Sequence, residues 1–311
     1  MEVTRRAVID VGTNSIKLLV ADVRGREVSP VHEESRQTRL GQGFYETHRL
    51  QPESIARTAE AVWEFGEIAR ERNAASIRVI ATSAARDAVN PADLTGAIER
   101  ASGLKTEIIS GAREAEWAFQ GVATDGDLAE NPLLLLDVGG GSTEFILGHG
   151  TKKHFAHSFP LGTVRLLEKF PHGDPPAPSE YNACRDWVSR FLHAEVRPQL
   201  GPALDKEPAR VQLVGTGGTT SILARVEKKL DRFDRDRIER TVLSFEQVAA
   251  RRKHLWELPL AAREEIPGLP KLRADVILTG VLIYEAVMAE FGFRELRVST
   301  RGLRFAAIMS E

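Results

Sequence analysis

Two stretches of this chain place carboxylates beside glycines and hydroxyls at a spacing suited to holding phosphate. In "AVIDVGTNSIKLLVADV", residues 7 to 23, Asp10 precedes Gly12, Thr13 and Ser15. In "LLLDVGGGSTEFILG", residues 134 to 148, Asp137 precedes Gly139, Gly140, Gly141, Ser142 and Thr143, and Glu144 follows on the outgoing run. Glycine permits positive φ and lets a ligand approach the main chain without a Cβ in the way. Successive backbone N–H groups then form an anion-binding concavity, to which the hydroxyls add donors. A single such turn is matched equally well by an ordinary tight hairpin. Two copies 127 residues apart, Asp10 aligning with Asp137, Gly12 with Gly139 and Ser15 with Ser142, favour a shared function. A carboxylate beside a phosphate repels it unless a cation lies between them. Oxygen ligands without a cysteine cluster point to Mg²⁺, with Asp10 and Asp137 as ligands. Glu144 is either a third ligand or a residue that orients water. The G-x-x-x-x-G-K-[ST] phosphate loop is absent, and these glycines lead into strands rather than helices.

The elements that must carry these residues alternate. Apolar runs such as "RAVID", "KLLVADV", "IRVIATS", "LLLLDV", "VQLVG" and "ELRVS" predict strands, and helical patterns lie between them, so the class is α/β. The segment "PESIARTAEAVWEFGEIARER" predicts a helix with Ile55, Ala59, Val62, Trp63 and Ala69 facing the core. Asn90 before Pro91, and Ser110 before "GAREAEWAFQGV", read as N-caps. The helix in "RADVILTGVLIYEAVMAEF" is apolar nearly all round and is expected to be buried. The polar stretch at 122–132 marks a boundary. Two domains are expected, 1–125 and 126–300, each opening with the same hairpin, with the end of the chain, about 301–311, returning to the first. Their turns would face one another across a cleft.

The bulk numbers bound the partners. A net charge of −2 on 311 residues argues against general nucleic-acid binding but leaves room for a local anion site. No apolar run is long enough to span a bilayer, and no secretion signal is read at the start, so no membrane association and a cytoplasmic location are expected. The lone Cys184 excludes an internal disulfide. A homodimer is the default expectation for assembly. His154 and His157 fall on opposite faces of a strand and are not read as a metal pair.

The two glycine hairpins resemble the phosphate loops of the exopolyphosphatase and guanosine pentaphosphate phosphatase family. That family lies within the superfamily of actin, Hsp70 chaperones and sugar kinases. "ATSAARDAVN", "IISGAREAEWAFQGV", "SFPLGTVRL", "LVGTGGTTSILA" and "RADVILTGVLIYEAV" match in order, so the similarity covers about residues 7 to 304. The resemblance implies two ribonuclease-H-like domains with mixed sheets flanked by helices and an active site in the interdomain cleft. It implies that Gly12, Thr13, Asn14 and Ser15, with Gly139 to Thr143, hold phosphate, and that Arg86 grips the phosphate chain; the bland alternative for Arg86 is a surface pair with Asp87. Glu114, in "ISGAREA", would be the general base that activates water. Gly217 and Gly218 would hold the distal chain or a nucleotide, or serve only as the N-cap of the next helix. Two positions depart from the family pattern: Arg113 stands where a second acid is common, and "GLRFA" replaces "GLREG" at 302–306. Additional C-terminal domains of longer members are missing, which favours shorter chains or a nucleotide as substrate. The implied activity is Mg²⁺-dependent hydrolysis of inorganic polyphosphate, or of the guanosine pentaphosphate 5′-phosphate. A non-catalytic nucleotide-binding regulator is the rival from another class, and a sugar kinase fits less well.

Overall fold

The computed structural model describes residues 2–207 and 209–310. It divides into two units, Met1–Thr124 with Arg301–Glu311, and Asp125–Thr300. The first is built on β1 (Thr4–Val11), β2 (Ser15–Arg24), β3 (Glu27–Gln37), β4 (Ser76–Ala81) and β5 (Thr106–Ile108), in the order β3-β2-β1-β4-β5. The hairpin strands pair antiparallel, whereas β1, β4 and β5 run parallel. Four helices connect them: α1 (Pro52–Glu71), α2 (Ser83–Asp87), α3 (Pro91–Ser102) and α4 (Gly111–Val122).

Period-two alternation sends successive side chains of β1 to opposite faces, and both faces are covered. Ala7, Ile9 and Val11 join Ile55, Val62, Phe65, Leu94 and Ile98 beneath α1 and α3. Val8 joins Ile80, Ile109, Trp117, Leu303, Phe305 and Ile308 beneath α4 and the C-terminal helix Leu303–Ala307. The departure at Phe305 is thus a core residue, 1% exposed.

Three local expectations are corrected. Trp63 is 45% exposed, because a step of about 100° per residue carries it off the stripe on which Val62 and Phe65 are buried. Asn90 stands at the N-cap position of α3 but makes no cap hydrogen bond; its Oδ1 instead accepts from Leu50 N and its Nδ2 donates to Leu50 O. β3 escapes the apolar-run reading altogether. It is an edge strand paired only with β2, polar along its length, with Pro30 beside a bulge that leaves Val31 unpaired. Proline, charge and a bulge are the usual means of blunting an edge.

The second unit repeats the plan. Its strands are β6 (Leu133–Val138), β7 (Thr143–His149), β8 (Lys152–Phe159), β9 (Gln212–Thr216), β10 (Val242–Ser244) and β11 (Glu295–Val298), ordered β10-β11-β9-β6-β7-β8. Again an antiparallel meander, β6-β7-β8, leads into parallel neighbours, β9 and β11. Helix Ile277–Phe291 is buried from Ile277 through Tyr284, as its all-round apolar sequence requires. Cys184 is packed in the same core.

Glycine allows one backbone crossing that no other residue would. A Cβ on Gly121, in α4, would stand 2.6 Å from the Gly302 carbonyl carbon. Backbone cannot yield as a flexible side chain does, so Gly121→Ala is expected to destabilise the protein by about 1–3 kcal/mol. Gly126, whose added Cβ would meet nothing within 4 Å, supplies the matched control. Thermal melts of Gly121→Ala and Gly126→Ala measure the difference; equal melting temperatures would refute the close-packing account.

Candidate active site

In both units the parallel strands end at the edge that carries the glycine turn, the edge where ligands bind in open α/β sheets. In the first unit β1 ends in Asp10 and Gly12, β4 runs into α2 with Ser83 and Arg86, and β5 runs into α4 with Glu114. In the second, β6 ends in Asp137 and Gly139, and β9 in Thr216 and Gly217.

The two hairpins close by the same hydrogen bond. Gly12 N donates to Ser15 O at 3.1 Å, and Gly139 N to Ser142 O at 2.9 Å. The reason glycine is needed here differs from the one read in the sequence. Neither residue has a positive φ; a Cβ would stand 3.0 Å from Ser15 O at Gly12, and 3.1 Å from Ser142 O at Gly139. Closeness across the turn sets the requirement. The second turn is also pressed from outside, since a Cβ on Gly162 would come within 2.5 Å of the Gly140 and Gly141 carbonyl carbons. Val164 N donates to Gly140 O, and Arg165 Nε to Gly141 O at 2.9 Å.

Beyond that turn, two hydroxyls expected to face phosphate are engaged within the protein. Ser142 Oγ donates to Glu144 Oε1 at 2.9 Å, and Thr143 Oγ1 donates to Leu161 O. Ser158 Oγ, a partner not foreseen, also donates to Glu144 Oε1 at 2.7 Å. Glu144 lies directly opposite Asp137 in the β6–β7 register, so both carboxylates share a face of the sheet.

The first unit is less satisfied. Asp10 Oδ1, Asn14 Nδ2 and Ser83 Oγ are all buried without a hydrogen-bond partner among the described residues. Buried polar groups of this kind are rare and call for a cause. Burial raises the Asp10 pKa, opposed by the charges of Lys17 and Arg304. Alongside, Arg86 Nη1 donates to Glu114 Oε2 at 2.8 Å and to Ile109 O at 3.3 Å, while its Nε lies 3.6 Å from Asp87. Arg86 therefore makes the pair with Asp87 and a shorter one with Glu114. Ser110 caps α4 by accepting from Arg113 N, which fixes where Glu114 leaves the helix. Arg113 itself stacks over Trp117, 5.4 Å from the ring centroid.

Gly217 is held to glycine twice over. Its φ is +92°, and a Cβ would stand 2.6 Å from Asp137 Oδ1. It precedes helix Gly218–Glu227 at the N-cap, so the bland reading of this loop is also satisfied. The buried Tyr284 Oη shares its one hydrogen between Leu136 O at 3.2 Å and Thr216 O at 3.3 Å; burial first, and the Asp137 charge second, push its pKa well up.

Sequence reasoning missed Arg273. Its guanidinium is buried against Gly218, where a Cβ would come within 2.6 Å of Nη2, and its Nε has no hydrogen-bond partner among the described residues. Burial pushes its pKa down to about 10 despite the charge of Asp275. The available signal was a cation four residues before a nearly all-apolar helix, though Lys271 and Asp275 beside it make that signal weak.

Asp10 fits a cation by chemistry, because Oδ1 is a buried acceptor with no donor among the described residues. Among the described residues no group of three or more His, Cys, Asp or Glu is gathered as a metal cage. Mg²⁺ does not need one, since it commonly takes one or two carboxylates plus phosphate oxygens and water.

Comparison with known proteins bears on the whole chain. The model of the Ppx/GppA phosphatase family matches residues 19–311. Exopolyphosphatase 2 of Mycobacterium tuberculosis is 36% identical, the alignment covering 96% of each chain. Among solved structures, the Aquifex aeolicus PPX-GPPA enzyme superposes with a TM-score of 0.79 at 30% identity, covering 100% of both chains. An exopolyphosphatase from Cytophaga hutchinsonii gives a TM-score of 0.86 at 28% identity, covering 97% of this chain and 96% of its own.

Proposed function

The chain belongs to the Ppx/GppA phosphatase family, and we propose that it is an exopolyphosphatase, hydrolysing the terminal phosphoanhydride of inorganic polyphosphate to orthophosphate. The observation that carries this reading is the set of buried, unpartnered polar atoms on Asp10, Asn14 and Ser83, on the strand edge that also carries the Arg86–Glu114 pair. A charged ligand and its cation satisfy such atoms; water-excluded donors and acceptors otherwise cost about 1–3 kcal/mol each.

Each residue has a task. Arg86 offers a planar fork of donors to the phosphoryl oxygens. The Glu114 carboxylate takes the proton from the attacking water as that water's oxygen bonds to the terminal phosphorus and the bridging P–O bond breaks. In the first unit the Gly12 turn offers main-chain N–H groups to phosphate; in the second the Gly139 turn and the Arg273 guanidinium beside Gly218 offer theirs. In the first unit Asp10 is the carboxylate that would hold Mg²⁺, and in the second Asp137 stands at the matching place of its own hairpin. When bound, the ion neutralises charge on the phosphoryl oxygens. Glu144, held by two serines, keeps the Asp137 hairpin in place.

Phosphate release from short polyphosphate, long polyphosphate and guanosine pentaphosphate, measured side by side with and without Mg²⁺, tests the proposal. Mg²⁺-dependent release from polyphosphate is expected. Release from the nucleotide alone would replace this reading with the pentaphosphate phosphatase, and binding without release would replace it with a regulator. In the same assay Arg273→Gln should raise KM about tenfold or more while kcat changes little, as loss of a charge-assisted hydrogen bond to bound substrate would.

A further inference from the structure

The second unit carries a cavity of about 470 Å³ that the proposed hydrolysis leaves unused. This lies within the range of about 300–1,000 Å³ common to small-molecule sites. It opens at the amino end of β9, where Gln212 lines it, whereas the glycine turns stand at the carboxyl end with Thr216. Four residue steps of strand put about 13 Å between those two ends.

Its walls combine charge with aromatic surface. Arg210, Arg294 and Arg297 contribute three guanidiniums, against one acid, Glu295. Phe291 and Phe293, partly buried against the core, also line it. Strand alternation explains Arg297: Leu296 and Val298 enter the core, so Arg297 between them faces the other way. Its Nε is buried with no hydrogen-bond partner among the described residues, and so is Gln212 Nε2. Two unsatisfied donors in one cavity call for an acceptor that the described residues do not provide.

We propose that this cavity binds a heteroaromatic phosphate of about mononucleotide size, with the phosphate on the arginines and the ring against the phenylalanines. Guanidinium forks match phosphate oxygens, and an aromatic face stacks on a base. This inference is independent of which phosphoanhydride the enzyme hydrolyses.

Adenosine 5′-monophosphate is the probe, because it has no phosphoanhydride bond to be cleaved. Calorimetric titration of the full chain should show saturable binding, with adenosine alone and inorganic phosphate alone each at least tenfold weaker. Arg297→Gln should weaken the nucleotide about tenfold or more, the loss of one charge-assisted hydrogen bond. Arg210→Gln, at an exposed position, guards against a folding defect and should weaken it in the same direction. Arg86→Gln should leave it unchanged. No saturable binding by the wild-type protein, binding that survives both cavity variants, or binding lost with Arg86→Gln would each overturn the proposal. Tight binding of inorganic phosphate alone would overturn the aromatic part and reduce the site to a simple anion pocket.

Discussion

Glu114→Gln is expected to lower kcat for phosphate release by about 10²- to 10⁴-fold while substrate affinity stays within several-fold. The substitution keeps the shape of the side chain and removes only its ability to accept a proton. Glu114 sits in the first turn of α4, anchored by the Ser110 cap, and its carboxylate is already held at 2.8 Å by Arg86. A glutamine can keep a hydrogen bond to that guanidinium through its amide oxygen, so the local packing and the position of Arg86 should persist. Binding of polyphosphate is measured by titration, and turnover by single-turnover phosphate release. A kcat within tenfold of wild type would remove Glu114 as the general base. A large loss of affinity with unchanged turnover would instead make it a residue that positions Arg86.

Asp10→Asn is expected to abolish both Mg²⁺-dependent turnover and the thermal stabilisation that Mg²⁺ confers on the wild-type protein. A cation that binds only the folded chain stabilises it by about 2.7 kcal/mol at one hundred times its Kd. The wild-type carboxylate is buried, and its Oδ1 has no donor among the described residues, so a bound cation removes an electrostatic cost. The asparagine carries no charge and should gain little from the ion. Without Mg²⁺ the ranking should reverse. The variant should melt no lower than the wild type at neutral pH, because it has no buried charge to leave unpaired. Differential scanning calorimetry of both proteins, with Mg²⁺ and with chelator, gives the four melting temperatures. Equal Mg²⁺ shifts in the two proteins, or wild-type turnover that survives chelation, would refute the role of Asp10 as a metal ligand.

Much of the architecture was legible in the residue order because it rests on periodicity. Strands flanked by apolar neighbours on both faces, such as β1 and β6, announce themselves as apolar runs that end in an aspartate, and the helix from Ile277 does so as a mostly apolar stretch. β3 could not be read this way. An edge strand needs only one pairing neighbour, so its side chains are free to be polar, and polarity was the only signal it carried. Trp63 misled for a related reason: near the margin of an amphipathic stripe, one step of helical rotation decides between core and solvent.

What the order of residues determined by itself was chemical identity and local geometry: the doubled Asp-x-Gly turns, the family segments that carry Arg86 and Glu114, and the strand-and-helix alternation. What only the tertiary structure decided was partnership. It set Arg86 on Glu114 as well as on neighbouring Asp87, turned Ser142 and Thr143 inward, brought Ser158 to Glu144 and buried Arg273 against Gly218. The physical reason is range. Turn propensity and periodicity act over a few residues and are written locally, whereas a buried hydrogen bond joins groups that the parallel crossovers bring together from distant parts of the chain.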